Sequence, residues 1–416
     1  MLENLAEGPI QSSYEYIFEH MLNPILLNGI PINVNHPTQY LEKLWYVLTY
    51  RYPQLGSMKV TIEDLLGYSP SLSSHETQQA LNSVLGYNSE DLVVSLIDRE
   101  WQDSEFNEFD DFIKYFKINP LFSSSESIYI CGAGTCRLGD YLASLEHLKK
   151  VTCSDLSWLT LFYGKLLIEG QTDLLPKPSI ADRLFYRIDQ ALNKLVVENQ
   201  PSRFKPPLSR PGKIDFEVNN AFTLGNLNSF ELICVPFLLD NFGGEKLESL
   251  LIRLCQSTSI NQQLIIMTTF RFNHKLGKIR DPEAMKNILE RCGFKIKHMD
   301  IVRLPYSFSY YNYASQKNTW NSIILGAVKK NETNLQKVRI HLNAKTTDTT
   351  AGLFSGAGMD QPAWHKCLLD ILFTCQQGES YSKVFNVVKE ECGLDSDSFT
   401  KATGILAHND VLHFQI

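Results

Sequence analysis

The stretch at residues 127–155 constrains the fold more than any other part of the chain. A short apolar run leads into a turn that carries Gly132, Gly134 and Gly139, and a helical pattern follows. A second apolar run then ends at Asp155. This order predicts a strand, a glycine-rich turn, a helix and a neighbouring parallel strand with a carboxylate at its tip.

Such a unit has a physical use for each of these residues. Glycine permits a tight turn and lets a ligand approach the backbone, and the start of a helix offers unpaired N–H groups. A carboxylate at the tip of the second strand can accept both hydroxyls of a ribose. The pattern therefore predicts a nucleoside-containing cofactor, with dinucleotides and S-adenosylmethionine both open. An ordinary glycine-rich turn in a parallel sheet remains the plain alternative.

Composition excludes several other classes. The formal net charge of −7 provides no basic excess for coating nucleic acid. No apolar run approaches the roughly 20 residues of a membrane span, and the acidic, polar start is not expected to be a signal peptide. Nine scattered cysteines fit buried small side chains in a reducing compartment rather than disulfides or a metal site. We expect a cytoplasmic protein without a bound metal.

The spacing of apolar residues and the positions of proline, glycine and polar stretches divide the chain into four parts. Residues 1–120 have mainly helical spacing, for example at 41–48, and no β-hairpin signal, which predicts a helical N-terminal cap. Residues 121–330 form an α/β core with an irregular insertion at 170–212, and polar residues 331–362 are typical of a linker. Three helical patterns and a strand in 363–416 predict a small winged-helix-like domain for dimerisation or substrate docking, so a homodimer is one expectation. Its acidic excess disfavours DNA binding.

The core pattern also predicts how the sheet ends. The apolar run 230–236 is typical of a buried parallel strand, and it delivers Asp240 to the carboxyl edge of the sheet, where ligands bind. Two last strands, at about 294–302 and 320–328, predict a closing hairpin. Seven strands ending in such a hairpin favour a class I methyltransferase plan over a dehydrogenase, and no second mononucleotide-binding half is visible.

Several segments between about residues 90 and 330 resemble one family in order and spacing. The core is similar to the carnosine N-methyltransferase-like family, which uses S-adenosylmethionine. The matching segments are Arg99-Glu100-Trp101, Cys131-Gly132-Ala133-Gly134-Thr135-Cys136-Arg137-Leu138-Gly139, Ser154-Asp155-Leu156-Ser157, Asn220-Ala221-Phe222, Val235-Pro236-Phe237-Leu238-Leu239-Asp240 and Arg291-Cys292-Gly293-Phe294-Lys295. The resemblance implies an α/β fold with a seven-stranded, Rossmann-like class I methyltransferase core.

Three positions depart from the family pattern. Cys136 stands where the family has its third glycine, and Asn220-Ala221 replaces Gly-Asp at the place that meets the adenosine. Asp155 replaces a glutamate and is one methylene shorter. A regulatory protein with a degenerate methyltransferase fold is therefore a further alternative.

The resemblance also implies roles for individual residues. The cofactor residues it implies are Arg99, Gly132, Ala133, Gly134, Arg137, Asp155, Leu156, Asn220, Ala221 and Pro236. The catalytic residues it implies are Asp240 and His274, and the substrate pocket it implies comprises Phe237, Asp240, Tyr306, Tyr310 and Tyr313. The expected reaction is N-methylation of a histidine-containing small molecule or peptide. A peptide- or protein-modifying enzyme with the C-terminal domain as docking module is the alternative that keeps the cofactor.

Overall fold

The computed structural model describes a sheet-centred α/β protein. The residues it describes are 25–34, 37–50, 52–67, 93, 96–97, 100–101, 109, 112–114, 125–175, 204–209, 212–269, 281–305, 319–342, 378–408 and 412–416.

Nine strands form one mixed sheet. They are β1 (Ile25–Leu27), β2 (Ile30–Asn33), β3 (Ser127–Cys131), β4 (Lys150–Asp155), β5 (Ile214–Asn219), β6 (Leu232–Pro236), β7 (Gln263–Thr269), β8 (Phe294–Pro305) and β9 (Thr319–Lys329). Their order across the sheet is β1-β2-β5-β4-β3-β6-β7-β9-β8. The strands from β2 to β7 are parallel to one another, whereas β1 is antiparallel to β2, and β9 is antiparallel to both β7 and β8.

Helices cover this sheet on both faces. They are α1 (Pro37–Tyr50), α2 (Gly56–Leu66), α3 (Arg137–Ala143), α4 (Trp158–Ile168), α5 (Gly244–Gln256) and α6 (Pro282–Arg291). Helix α4 is apolar all round, because the sheet lies on one side of it and the N-terminal elements lie on the other. Helices α5 and α6 instead carry one apolar face and one polar face.

The strand order creates one crevice at the carboxyl edge. From β3 the chain moves outward to β4 and β5, and it then returns to the opposite side of β3 to form β6. Ligands of open α/β sheets bind where the order reverses in this way. The predicted strands of the core and the closing hairpin of β8 and β9 are confirmed, so the core is Rossmann-like. Residues 121–330 contribute seven of the strands, and β1 and β2 from the N-terminal region extend the sheet to nine.

The two extra strands come from the predicted helical cap. Strands β1 and β2 form a hairpin whose turn residues, Asn28 and Gly29, have φ values of 52° and 76°. This is the geometry of an Asn-Gly turn, which favours a hairpin between apolar strands. The prediction that this region contains no hairpin was therefore wrong. Its helical periodicity at 41–48 is confirmed by α1.

The C-terminal segment packs against the sheet-covering helices. Strands β10 (Arg339–Leu342), β11 (Glu379–Ser380) and β12 (Leu412–Gln415) form a second, antiparallel sheet beside helices α7 (Tyr381–Cys392) and α8 (Ser396–His408). Its apolar side chains share one buried cluster with α5 and α6. Two of the three helical patterns predicted in this segment and its final strand are confirmed, and the first pattern, at 364–375, lies outside the described residues. The winged-helix assignment stays a prediction.

Candidate functional site

The glycine-rich turn follows β3 at the crevice. Gly132 and Gly134 have φ values of 75° and 57°, in the left-handed region that glycine adopts without steric cost. The backbone N–H groups of Gly132 and Ala133 both donate to the carbonyl oxygen of Ser154, at 2.8 and 2.9 Å. These bonds fix the turn against the end of β4. The three residues predicted to face the cofactor, Gly132, Ala133 and Gly134, thus lie together at the predicted place.

Cys136, which replaces the third glycine, packs into the protein interior. It is the N-cap of α3, with a φ of 64°, and its side chain is fully buried beside Cys153. Burial raises the pKa of the Cys136 thiol well above its ordinary value, and contact with Cys153 adds to this effect. The left-handed backbone of a non-glycine residue costs about 1 kcal/mol. Because the sulfur points into the core, it does not crowd the crevice.

Asp155 ends β4 with its carboxylate tied to the turn. One oxygen accepts the backbone N–H of Gly134 at 3.1 Å, and the other accepts the N–H of Ser157 at 3.0 Å. Burial raises the pKa of the carboxyl, whereas N–H bonds from Ser157, Gly134 and Leu156 lower it. A carboxylate has about four acceptor positions, so Asp155 keeps acceptor capacity beyond these backbone bonds.

A second carboxylate, that of Glu100, lies against the same turn. A Cβ atom built on Gly134 would be 2.5 Å from the Glu100 Oε1 atom. Glu100 Oε2 accepts the Thr135 hydroxyl at 2.7 Å, and the backbone N–H of Arg137 is 3.5 Å away. The sequence grouped Glu100 with Arg99 and Trp101 but assigned it no role. Its position directly after Arg99, a predicted cofactor residue, was the sequence signal that could have identified it.

Arg137 has internal partners at the start of α3. Its guanidinium donates to Asp140 at 2.7 Å and to the Pro206 carbonyl at 3.0 Å, and it lies 4.6 Å from the centre of the Trp101 ring. Asp140 is fully buried and also accepts N–H groups from Leu208 and Ser209. The arrangement gives Arg137 a structural role, and its predicted contact with a cofactor stays a prediction.

The end of β5 forms the next wall of the crevice. The Asn220 side-chain oxygen accepts the Phe222 N–H at 3.0 Å and thereby caps a short 3-10 helix at Ala221–Thr223. The ring of His408, on α8, meets the Phe222 ring edge-on at 5.2 Å. Asn220 and Ala221 thus lie at the predicted edge, and helix α8 supports the short helix that they begin.

The end of β6 forms the opposite wall. Pro236 ends the strand, and Phe237 adopts a left-handed φ of 55° with its N–H bonded to the Met267 carbonyl. The Phe237 ring packs 5.5 Å from that of Phe112. The side chain of Leu238 lies over Gly132, where a Cβ atom would be 2.9 Å from the Leu238 Cβ. This wall therefore touches the glycine-rich turn directly.

Asp240 is bound by residues at the end of β7. Its carboxylate accepts the Thr268 hydroxyl at 2.6 Å, and the N–H and hydroxyl of Thr269 at 2.9 and 3.0 Å. Only 4 % of the residue is exposed. Through these three hydrogen bonds, Asp240 links the turn after β6 to the end of β7. Its predicted role toward an acceptor stays a prediction.

The remaining predicted site residues lie outside the described residues. They are Arg99, His274, Tyr306, Tyr310 and Tyr313. Leu156, the last predicted cofactor residue, directly follows Asp155 and accepts the Tyr40 hydroxyl through its carbonyl oxygen. Within the described ranges, no helix is long and apolar enough to cross a membrane. In the same ranges, no cluster of three His, Cys, Asp or Glu side chains is placed to hold a metal ion.

Comparison with known proteins gives only structural likenesses. No family model and no curated protein matches the chain. Magnesium protoporphyrin IX methyltransferase from Synechocystis with bound SAM aligns at 15 % identity over 62 % of this chain and 99 % of its own, with a TM-score of 0.35. The N-methyltransferase NodS from Bradyrhizobium japonicum, in complex with S-adenosyl-l-homocysteine, aligns at 10 % identity over 58 % of this chain and 100 % of its own, with a TM-score of 0.36. A SAM-dependent methyltransferase from Methanosarcina mazei aligns at 16 % identity over 52 % and 99 %, with a TM-score of 0.33. At these scores we base no functional argument on the alignments.

Proposed function

We propose that the chain is an S-adenosylmethionine-dependent methyltransferase that binds its cofactor at the carboxyl edge of β3, β4 and β5. The observation that carries this proposal is the Glu100 carboxylate, which lies against Gly134 in the glycine-rich turn. The strand order, with antiparallel β9 between β7 and β8, supports it independently.

Charge separates the two cofactor classes that the sequence left open. A dinucleotide places its pyrophosphate on the glycine-rich turn and the start of the following helix. Here that place holds a carboxylate, which accepts the Thr135 hydroxyl beside Gly134. A pyrophosphate would be repelled there, because two anions would share one site. S-Adenosylmethionine has no phosphate, and its ammonium and sulfonium together outweigh its single carboxylate, so the Glu100 carboxylate would attract its ammonium.

The other residues of the crevice fit the nucleoside part of that cofactor. Asp155 keeps an acceptor position for a ribose hydroxyl while its backbone bonds hold it against Gly134. Asn220 and Ala221, at the end of β5, are the residues that we assign to the adenine side. With its sulfur buried, Cys136 leaves this surface clear.

The proposed chemistry asks little of the protein beyond positioning. The bound cofactor supplies an activated methyl group, and methyl transfer needs the donor carbon, nucleophile and leaving sulfur in line. Tying the turn after β6 to the tip of β7 through Asp240 would fix one wall of the acceptor pocket. The Phe237 ring would line that wall, where an aromatic face stabilises a nearby cation.

The acceptor is proposed from the resemblance. We propose a histidine-containing small molecule or peptide, with His274, Tyr306, Tyr310 and Tyr313 contributing to its pocket. A protein substrate docked by the C-terminal segment and a non-catalytic regulatory protein remain the alternatives. Incubation with labelled S-adenosylmethionine and a panel of imidazole compounds, peptides and proteins distinguishes the three. Label transfer to a small imidazole compound supports the first, transfer only to proteins supports the second, and cofactor binding without transfer supports the third.

Cofactor binding itself is tested by calorimetry. We expect wild type to bind S-adenosylhomocysteine and to give no signal with NAD under the same conditions. Asp155→Ala should weaken binding of S-adenosylhomocysteine strongly, since it removes the proposed ribose acceptor. The matched control is Glu126→Ala, which removes an exposed carboxylate paired with Lys149 away from the crevice. Binding of NAD, or of neither ligand, would contradict the proposal.

A further inference from the structure

The loop that carries Asp155 is held by a tyrosine from the N-terminal region. Tyr40, on α1, donates its hydroxyl hydrogen to the Leu156 carbonyl at 2.7 Å. The same hydroxyl oxygen accepts the backbone N–H of Trp158 at 2.7 Å. One phenol group thus bridges the residues on either side of Ser157, immediately after Asp155.

Other contacts extend this attachment. The indole N–H of Trp158 donates to the Leu27 carbonyl of β1 at 3.1 Å, and the Trp158 side chain is fully buried. Ser157 caps α4 by accepting the Thr160 N–H at 3.1 Å. The residues after Asp155 are therefore fixed from the N-terminal hairpin, from α1 and from α4 at once.

This geometry links Tyr40 to the carboxylate. Ser157 donates its N–H to one Asp155 oxygen, and Ser157 lies between the two backbone groups that the Tyr40 hydroxyl bridges. If that hydroxyl is removed, the Leu156 carbonyl and the Trp158 N–H lose a partner, and the loop between them is held by fewer hydrogen bonds. The Ser157 N–H that donates to Asp155 would then be held less firmly, so the orientation of the carboxylate would vary more.

We infer that Tyr40 is a positioning residue for the nucleoside site, and that it orients Asp155 toward the ribose through the backbone at 156–158. This inference rests on the proposed function, because it takes Asp155 as the ribose acceptor. Packing of α1 onto the sheet is provided separately by apolar side chains such as Leu41, Leu44 and Leu48. The Tyr40 hydroxyl can therefore be removed while the helix stays packed.

The test compares Tyr40→Phe with a matched control. Tyr381→Phe also removes a hydroxyl in hydrogen-bond contact, here with Thr400 of α8 in the C-terminal segment. Both variants are characterised by thermal unfolding and by titration with S-adenosylhomocysteine. We expect Tyr40→Phe to raise the Kd about fivefold to tenfold, as for loss of a typical hydrogen bond, and Tyr381→Phe to change it less than twofold.

A double-mutant cycle separates positioning from general destabilisation. In an Asp155→Asn background, Tyr40→Phe should raise the Kd less than twofold further, since both changes act through one contact. Fully additive effects would overturn the inference, as would an unchanged Kd for Tyr40→Phe in a wild type that binds. Absence of binding by wild type itself would instead refute the proposed function. Amide hydrogen exchange of residues 156–160, which needs no cofactor, then reports whether Tyr40 holds the loop. Equal exchange rates in wild type and Tyr40→Phe would show that it does not.

Discussion

The charge of Glu100 is the feature of the crevice whose removal is most informative. In Glu100→Gln the side chain keeps its shape, and the amide oxygen can still accept the Thr135 hydroxyl that now lies 2.7 Å from Oε2. The substitution removes the negative charge beside Gly134. It should weaken binding of a cofactor that presents an ammonium at the glycine-rich turn.

The expected loss follows from the environment of Glu100. A hydrogen bond to a charged group contributes about 1.5–3 kcal/mol, and a neutral one about 0.5–1.5 kcal/mol, so the difference is about 1–1.5 kcal/mol. Since Glu100 is partly exposed, water screens the interaction, and the larger loss typical of a fully buried ion pair is not expected. We predict a Kd for S-adenosylhomocysteine raised about fivefold to tenfold.

Calorimetry with two ligands tests this reasoning. 5′-Methylthioadenosine has the same adenine and ribose but lacks the amino-acid portion, so its Kd should stay within twofold in Glu100→Gln. The matched control Glu126→Gln removes an exposed carboxylate that pairs with Lys149 at 2.6 Å, and it should leave both ligands unaffected. Equal weakening of both ligands, or no weakening of either, would refute the assignment of Glu100 to the ammonium.

Three further predictions concern the packing around the crevice. Gly139→Ala places a Cβ atom 2.2 Å from the Cys153 sulfur, so it should lower the unfolding free energy by about 1–3 kcal/mol in denaturant titrations, and Cys153→Ala should recover most of that loss. Gly404→Ala places a Cβ atom 2.1 Å from the Phe222 carbonyl oxygen, so it should lower the melting temperature and weaken S-adenosylhomocysteine binding; unchanged values would show that α8 does not support the loop after β5. Lys329→Met removes the ammonium that donates to the Cys255 and Cys292 carbonyls, which keep only longer contacts to the Thr333 hydroxyl, and it should lower the unfolding free energy by about 2–4 kcal/mol. Burial lowers the pKa of Lys329 from 10.5, so between that lowered value and pH 10.5 the unfolded chain binds more protons than the folded one. The difference in unfolding free energy between wild type and Lys329→Met should therefore grow as pH rises toward 10.5. A difference that does not change with pH would contradict the buried charge.

Much of the crevice could be predicted because its backbone is encoded locally. The glycine-rich turn, the strand that ends at Asp155 and the apolar strand before Pro236 each have a short sequence signature, and parallel strands bring their carboxyl ends to one edge. The hairpin at β1 and β2 was also encoded locally, by Asn28-Gly29, but it was overlooked among helical patterns.

Side-chain partners were harder to predict, because they depend on distant parts of the chain. Asp240 was placed at the sheet edge by its spacing, but its donors Thr268 and Thr269, from another strand, could not be read from that spacing. Arg137 finds its carbonyl partner at Pro206, beyond the long insertion. Spacing places a residue at an edge of the sheet, but it does not reveal which neighbours already occupy its hydrogen-bonding groups. The contact between Glu100 and Gly134, on which the role proposed for Glu100 rests, likewise joins distant parts of the chain.

Direct titration of wild type with S-adenosylhomocysteine and with NAD, in parallel and in the same buffer, tests the central claim most simply. The carboxylates of Glu100 and Asp155 at one glycine-rich turn predict saturable, one-to-one binding of S-adenosylhomocysteine and no binding of NAD. Binding of NAD, or the absence of any signal with S-adenosylhomocysteine, would contradict the account.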